Sequence, residues 1–247
     1  MAKHKRLEED ERSKKRRQKR RKRFILRWIA VLAVAALVAT VVRYWDKLSP
    51  ETLVDSIGDF FAGESEGGFP IDISGNRIYQ LESASNGIAL LSDTHMAMYS
   101  NKGSEVMRRT HAFADPMLRI AGKYVLIAER GGKRLQLETR AKTVITHTTK
   151  YDIITAALHT NGDVAVITAA EQGYNARLTV YKKDGTVLYE RLCSTLLSDV
   201  AFSPNGKHIA VAAISAAQGA IRSVVEVLSL QSADSAPVYT YGGDDVL

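Results

Sequence analysis

The chain has 247 residues, room for one large domain or two small ones beside a short accessory segment. Its formal charge of +7 is misleading, because residues 1–23 hold 13 basic and four acidic groups while the other 224 hold 21 and 23. The body is therefore slightly acidic, which excludes a broadly basic nucleic-acid-binding surface. A single cysteine excludes an internal disulfide.

Residues 1–23 predict a basic cytoplasmic tail. The run FILRWIAVLAVAALVATVVRYW follows at once, and Trp28 to Val42 is 15 residues without a charge. With its flanks, 24–45 reaches about 20 residues, the length of a bilayer-spanning helix. Arg27 and Arg43 stand near the two ends, where long cations reach toward headgroups, and Trp28, Tyr44 and Trp45 suit the interfaces. The positive-inside rule puts the N-terminus in the cytoplasm and the C-terminal body outside. A cleaved signal peptide, with Ala33-Val34-Ala35 as its cleavage site, an RNA-binding tail and a buried core helix compete with this reading. The unbroken apolar run and its basic flank favour an uncleaved signal anchor in contact with the lipid bilayer through residues 24–45.

Residues 46–68 predict an amphipathic juxtamembrane helix and a linker. Ser49-Pro50-Glu51 is a helix start, and Leu53, Val54, Ile57, Phe60 and Phe61 share one helical face. Acidic Glu51, Asp55 and Asp59 suit an anionic lipid surface poorly, which favours docking on the following domain. GESEGG, 63–68, reads as a flexible linker.

From Phe69 the pattern becomes short β-rich runs. Turns at Gly87, Gly122, Gly162 and Gly206 each precede an apolar run, at spacings of 35, 40 and 44. A hairpin follows each, with Lys102-Gly103 and Asp184-Gly185 at two of the tips. Before the later turns stand PMLRI, DIITAAL and DVAFS. Each unit is thus four strands in a repeat of β-propeller length, and the predicted fold class is all-β. Asp115, Asp152, Asp199 and Asp245 stand before the inner runs, and the last reads as the opening of a fifth unit. The expectation is therefore an incomplete propeller over 69–247, prone to aggregate or pair with another chain.

A ring of these aspartates could hold a metal, but turn residues that accept backbone N–H bonds explain them as well. His95, His111, His147, His159 and His208 have no zinc-ligand spacing and no cysteine partner. Cys193, in LYERLCSTLL, reads as a buried structural thiol. GxSxG, HExxH and Gly-rich phosphate loops do not occur. No residue is assigned a catalytic, cofactor-binding or metal role.

Ser203-Pro204-Asn205-Gly206-Lys207 with HIAVAA resembles a repeat of TolB-type and WD-like propellers. The tail and span, SPETLV, GGFPIDISG at 67–75, ADPMLRIAGKYVLIAERGGKRLQLETR at 114–140 and SPNGKHIAVAA resemble uncharacterised single-span membrane-anchored propellers of Firmicutes, a domain of unknown function. That resemblance implies a longer protein and supplies no catalytic residues. The expected function is a non-enzymatic binding or scaffolding module of the cell envelope, with an envelope protein or cell-wall polymer as partner and no nucleic acid. The alternatives are a propeller enzyme, either a hydrolase or a quinone-dependent oxidoreductase, and a ligand sensor coupled to the cytoplasmic tail.

Overall fold

The computed structural model describes residues 68–241 except 74, 172, 218–219 and 232–237, with backbone alone at 216–217, 220 and 238–241. The expected tail, span and juxtamembrane helix, and Asp245, lie outside the described residues. The chain divides into two units, 1–61 and 62–247, and all described residues belong to the second.

Among the described residues, sixteen strands fall into four sheets of four. Sheet 1 holds β1 (Ile78–Ala84), β2 (Gly87–Ser92), β3 (His95–Ser100) and β4 (Glu105–Thr110). Sheet 2 holds β5 (Pro116–Ala121), β6 (Tyr124–Glu129), β7 (Arg134–Glu138) and β8 (Thr143–Thr148). Sheet 3 holds β9 (Ile153–Leu158), β10 (Val164–Thr168), β11 (Ala176–Tyr181) and β12 (Val187–Cys193). Sheet 4 holds β13 (Leu196–Phe202), β14 (His208–Ala217), β15 (Ala220–Ser229) and β16 (Val238–Tyr241). Each sheet is an antiparallel meander in chain order.

The first strands pack on one another in succession: β1 on β5, β5 on β9, β9 on β13. Side chains fasten two of these steps. The Gln80 amide donates to Leu118 O at 3.1 Å and accepts the Leu118 N–H at 3.0 Å. Arg119 Nε donates to Ala156 O at 3.1 Å. The four sheets are therefore arranged like successive propeller blades with their first strands innermost, as the repeat predicts.

Cores lie between the sheets. Leu91, Met96 and Met107 of sheet 1 meet Leu118, Val125 and Ile127 of sheet 2. Leu126, Leu135 and Leu137 meet Ile153, Val164 and Val166. Ile167, Leu178 and Val180 meet Leu197, Val200 and Ile209. The second strands β6 and β10 have both faces packed, as strands between two packed layers must, and β10 is buried throughout. At the periphery each sheet's fourth strand touches the next sheet's third. Arg109 meets Glu138 at 3.3 Å, His147 meets Tyr181 at 4.4 Å between ring centroids, and Arg191 meets Glu226 at 2.7 Å.

The turn glycines sit where the repeat puts them. Gly122, Gly162 and Gly206 have φ of 58°, 94° and 66°, values that favour glycine. At Gly87 the reason is space, since a Cβ would lie 1.8 Å from Tyr99 O. Asp199 differs from expectation: it lies inside β13, not before it. Leu196 and Leu197 already pair with Ile214 and Ala213, and an irregularity before Asp199 restores the register.

Alternate connections of a meander lie at opposite ends. One end carries the links from first to second and from third to fourth strands; it is called the turn rim below. The other carries the second-to-third connections and the linkers between sheets, and is called the linker rim. Residues 68–77 run from the first to the second. Gly68 and Phe69 back against Gly103, Ile71 packs with Leu90, Ala97 and Tyr99 on the outer face of sheet 1, and Arg77 O accepts the Asp93 N–H at 3.0 Å.

Candidate functional site

Loops carry function when a rigid body holds them, so the way the linker rim is tied down decides what it can present. In three sheets the residue just outside the first strand accepts a backbone bond from the residue just beyond the second. The pairs are Arg77 O with Asp93 N at 3.0 Å, Asp115 O with Arg130 N at 2.8 Å, and Asp152 O with Ala169 N at 2.9 Å. The aspartates at 115 and 152 thus serve through their backbone carbonyls, and their side chains are exposed. Asp152 Oδ1 lies 4.0 Å from Lys133 Nζ, while Asp199 Oδ1 accepts the Val200 N–H at 2.9 Å. Among the described residues, no three His, Cys, Asp or Glu side chains converge to hold a metal ion.

Two junctions repeat one side-chain arrangement. Between sheets 1 and 2, Arg134 Nη2 donates to Ala112 O at 2.7 Å and its Nε to Glu129 Oε2 at 3.3 Å. The guanidinium lies 5.1 Å from the ring centroid of Phe113, which is buried and stacks on His111. Glu129 Oε1 accepts the Ala114 N–H at 3.0 Å, which fixes the linker.

Between sheets 2 and 3, Arg177 takes the place of Arg134, Tyr151 of Phe113 and Glu171 of Glu129. Arg177 Nη2 donates to both Glu171 oxygens, at 2.9 and 2.7 Å, and its Nη1 pairs with Glu190. Its guanidinium is 5.6 Å from the Tyr151 ring centroid, and Tyr151 Oη donates to Glu171 Oε2 at 2.8 Å. The Tyr151 hydroxyl, and after it Arg177, holds the Glu171 carboxyl below its usual range. These contacts are partly solvated and lie at the rim, so their effect is to position the loops more than to hold the fold.

The RGGK segment, 130–133, forms a third fastening. Gly131 N donates to Ile153 O at 2.8 Å and Ile153 N to Gly132 O at 2.6 Å, a short parallel bridge onto the first strand of sheet 3. Gly131 has φ of 70° in this bridge. The Arg130 side chain is left exposed, as are those of Asp115, Lys133 and Asp152. The Tyr174 ring, on the next connection, is 45% exposed. On this fixed backbone the rim therefore presents exposed charges of both signs and the Tyr174 ring.

Four of the five histidines among the described residues use their rings in local contacts. His95 Nδ1 lies 3.0 Å from both Ser92 Oγ and Thr94 Oγ1; His111 Nε2 lies 3.1 Å from Ser92 O; His159 Nε2 lies 3.3 Å from Pro204 O. Burial lowers the pKa of His95, His111 and His147. His208, at the start of β14, is exposed and accepts the Ser203 hydroxyl through its carbonyl at 3.0 Å. Cys193 is a buried free thiol whose pKa burial raises, which is the structural role expected of it.

Sequence reasoning missed the arginine–glutamate–aromatic arrangement, whose members come from separate elements. The signal that could have found it is the shared order of aromatic linker, glutamate and arginine in two consecutive units.

No curated protein matches this sequence significantly. In fold the chain is similar to Hsv2p of Kluyveromyces lactis, with a TM-score of 0.49, 13% identity and coverage of 67% of this chain and 52% of that one. It is similar to the Pan2 WD40 domain of Neurospora crassa, with a TM-score of 0.47, 12% identity and coverage of 67% and 52%. It is similar to the hydrazine synthase of Kuenenia stuttgartiensis, with a TM-score of 0.47, 15% identity and coverage of 64% and 51%. The chain thus spans about half the length of these structures. Residues 67–237, most of the chain and nearly all of its described strands, match the profile of a family of unknown function, and the chain belongs to that family, DUF5711.

Proposed function

We propose that this protein is a membrane-anchored, extracytoplasmic propeller-like module that binds or scaffolds other components of the cell envelope without catalysing a reaction. The span is residues 24–45, the tail before it is cytoplasmic, and the partner is an envelope protein or a cell-wall polymer. The observation that carries the binding role is the linker rim, where backbone bridges and two arginine–glutamate–aromatic contacts fix the backbone that carries exposed Arg130, Asp115 and Tyr174. Charges and an exposed aromatic ring on a fixed backbone suit partner recognition, because little backbone ordering entropy remains to be lost on binding. The basic-to-apolar junction at Arg23–Phe24 supports the location.

The test is crosslinking in intact cells with the full chain, followed by identification of the adducts. The wild type should give a defined envelope adduct that R130E and Y174A lose while retaining thermal stability. An adduct unchanged in both variants would remove the linker rim as the binding surface.

A further inference from the structure

The two rims differ in charge. On the turn rim, the described connections between third and fourth strands carry Lys102, Arg140, Lys142, Lys182 and Lys183. Those between first and second strands add Lys123 and Lys207. Against these seven cations stand two acids, Asp163 and Asp184, for a formal +5. Both acids are engaged within their own turns. Asp184 Oδ1 accepts the Thr186 N–H at 2.9 Å and its hydroxyl at 2.7 Å, and Asp163 Oδ2 accepts the Asn161 amide at 2.8 Å. The described connections of the linker rim carry three cations (Arg130, Lys133, Lys150) and four acids (Asp93, Asp115, Asp152, Glu171), for a formal −1. A body whose charges nearly cancel thus concentrates its positive charge at one end.

The chain enters the described body at that same end. The Gly68–Phe69 backbone lies so close to Gly103 that a Cβ there would come within 2.8 Å of Gly68 C and 2.9 Å of Phe69 N. The Phe69 ring at the entry point is 59% exposed.

We infer that the turn rim rests against anionic lipid headgroups of the membrane that carries the protein, which leaves the linker rim directed away from it. The inference rests on the reading of residues 24–45 as a membrane span. A spread of exposed lysines around the turn rim suits a diffuse sheet of phosphate charge better than one small anion. An exposed phenylalanine among cations is the composition of an interfacial contact. Each basic side chain near an anionic surface adds a modest attraction that fades beyond the Debye length, so the contact needs the exposed Lys102, Lys182, Lys183 and Lys207 together and yields to salt.

The experiment uses the full chain in nanodiscs of phosphatidylcholine, with or without phosphatidylglycerol, and reads backbone hydrogen exchange by mass spectrometry. With phosphatidylglycerol at low salt, exchange in the turns at Asn101–Ser104 and Lys182–Thr186 should slow several-fold, and high salt should restore it. Exchange at the linker rim should stay unchanged in every arm, which also reports that the fold is intact. A variant with Lys102, Lys182, Lys183 and Lys207, all exposed, changed to Gln should lose the protection. Inorganic phosphate added to phosphatidylcholine discs should leave exchange unaltered, since the proposed contact is with a surface. Equal turn-rim exchange with and without phosphatidylglycerol, or protection of the linker rim instead, would overturn the orientation while leaving the span reading intact. A chain that fails to copurify with the discs would sink the span reading and this inference with it.

Discussion

The pair Arg109–Glu138 gives the sharpest test of how successive sheets are joined. Glu138 closes β7 with its side chain 3% exposed, while that of Arg109, on β4 of the preceding sheet, is 29% exposed. The carboxylate takes Arg109 Nε at 3.3 Å, and the Thr143 hydroxyl lies 3.0 Å from each of its oxygens. Arg109 Nη2 also donates to Arg140 O at 3.1 Å, so its loss removes two links between the sheets. R109M leaves a buried charge with one hydroxyl partner. Removing one partner of a buried pair costs about 3–5 kcal/mol. Discounting for the partly exposed arginine and the remaining threonine gives about 2–3 kcal/mol. For a body of this size that is a fall of about 4–12 °C in Tm. Thermal unfolding of the detergent-solubilised full chain, followed by circular dichroism, measures it. The double variant R109M/E138L should recover most of the loss, because it replaces both charges with apolar groups. A fall under about 1 °C for R109M, or a double variant worse than either single one, would refute this account of the joint.

Other consequences can be checked on the same material. Gly162→Ala places a side chain at φ 94° and a Cβ 3.0 Å from both Tyr124 Cζ and Lys183 Cβ, and should cost about 1–3 kcal/mol in chemical unfolding. Cys193 should resist alkylation at neutral pH in the folded chain and react on unfolding, since burial both hides the thiol and raises its pKa. Burial lowers the pKa of His95, His111 and His147, so the unfolded chain binds protons before the folded one does. Their contribution is complete above the unfolded value of about 6.5 and is lost as pH falls below it toward the folded values. Tm should therefore drop between about pH 7 and pH 5, and H147Q should flatten part of that slope.

The repeat was legible because turn geometry imposes a residue type. Gly122, Gly162 and Gly206 occupy φ values that other residues resist, and Gly87 sits where no Cβ fits. Runs such as PMLRI and DIITAAL then supply strands β5 and β9. The first strand, β1, gave a weaker signal because IYQLESA carries Gln80 and Glu82; Gln80 is there to grip the backbone of the next sheet. Asp199 was misplaced by alignment to Asp115 and Asp152, since the hydrophobic pair Leu196–Leu197 extends β13 ahead of it. The contacts at the linker rim and the Arg109–Glu138 joint were out of reach for a different reason. They join charged residues from separate strands and loops, and no local period marks them. The charge difference between the rims likewise emerges once the topology sorts the connections into two ends.

Protease added to intact protoplasts tests most directly the claim that a propeller-like body is carried outside the membrane on an N-terminal span. The account predicts loss of an epitope placed after residue 247, with the basic N-terminal tail left protected on a membrane-bound fragment. An epitope that survives until the membrane is permeabilised would contradict it.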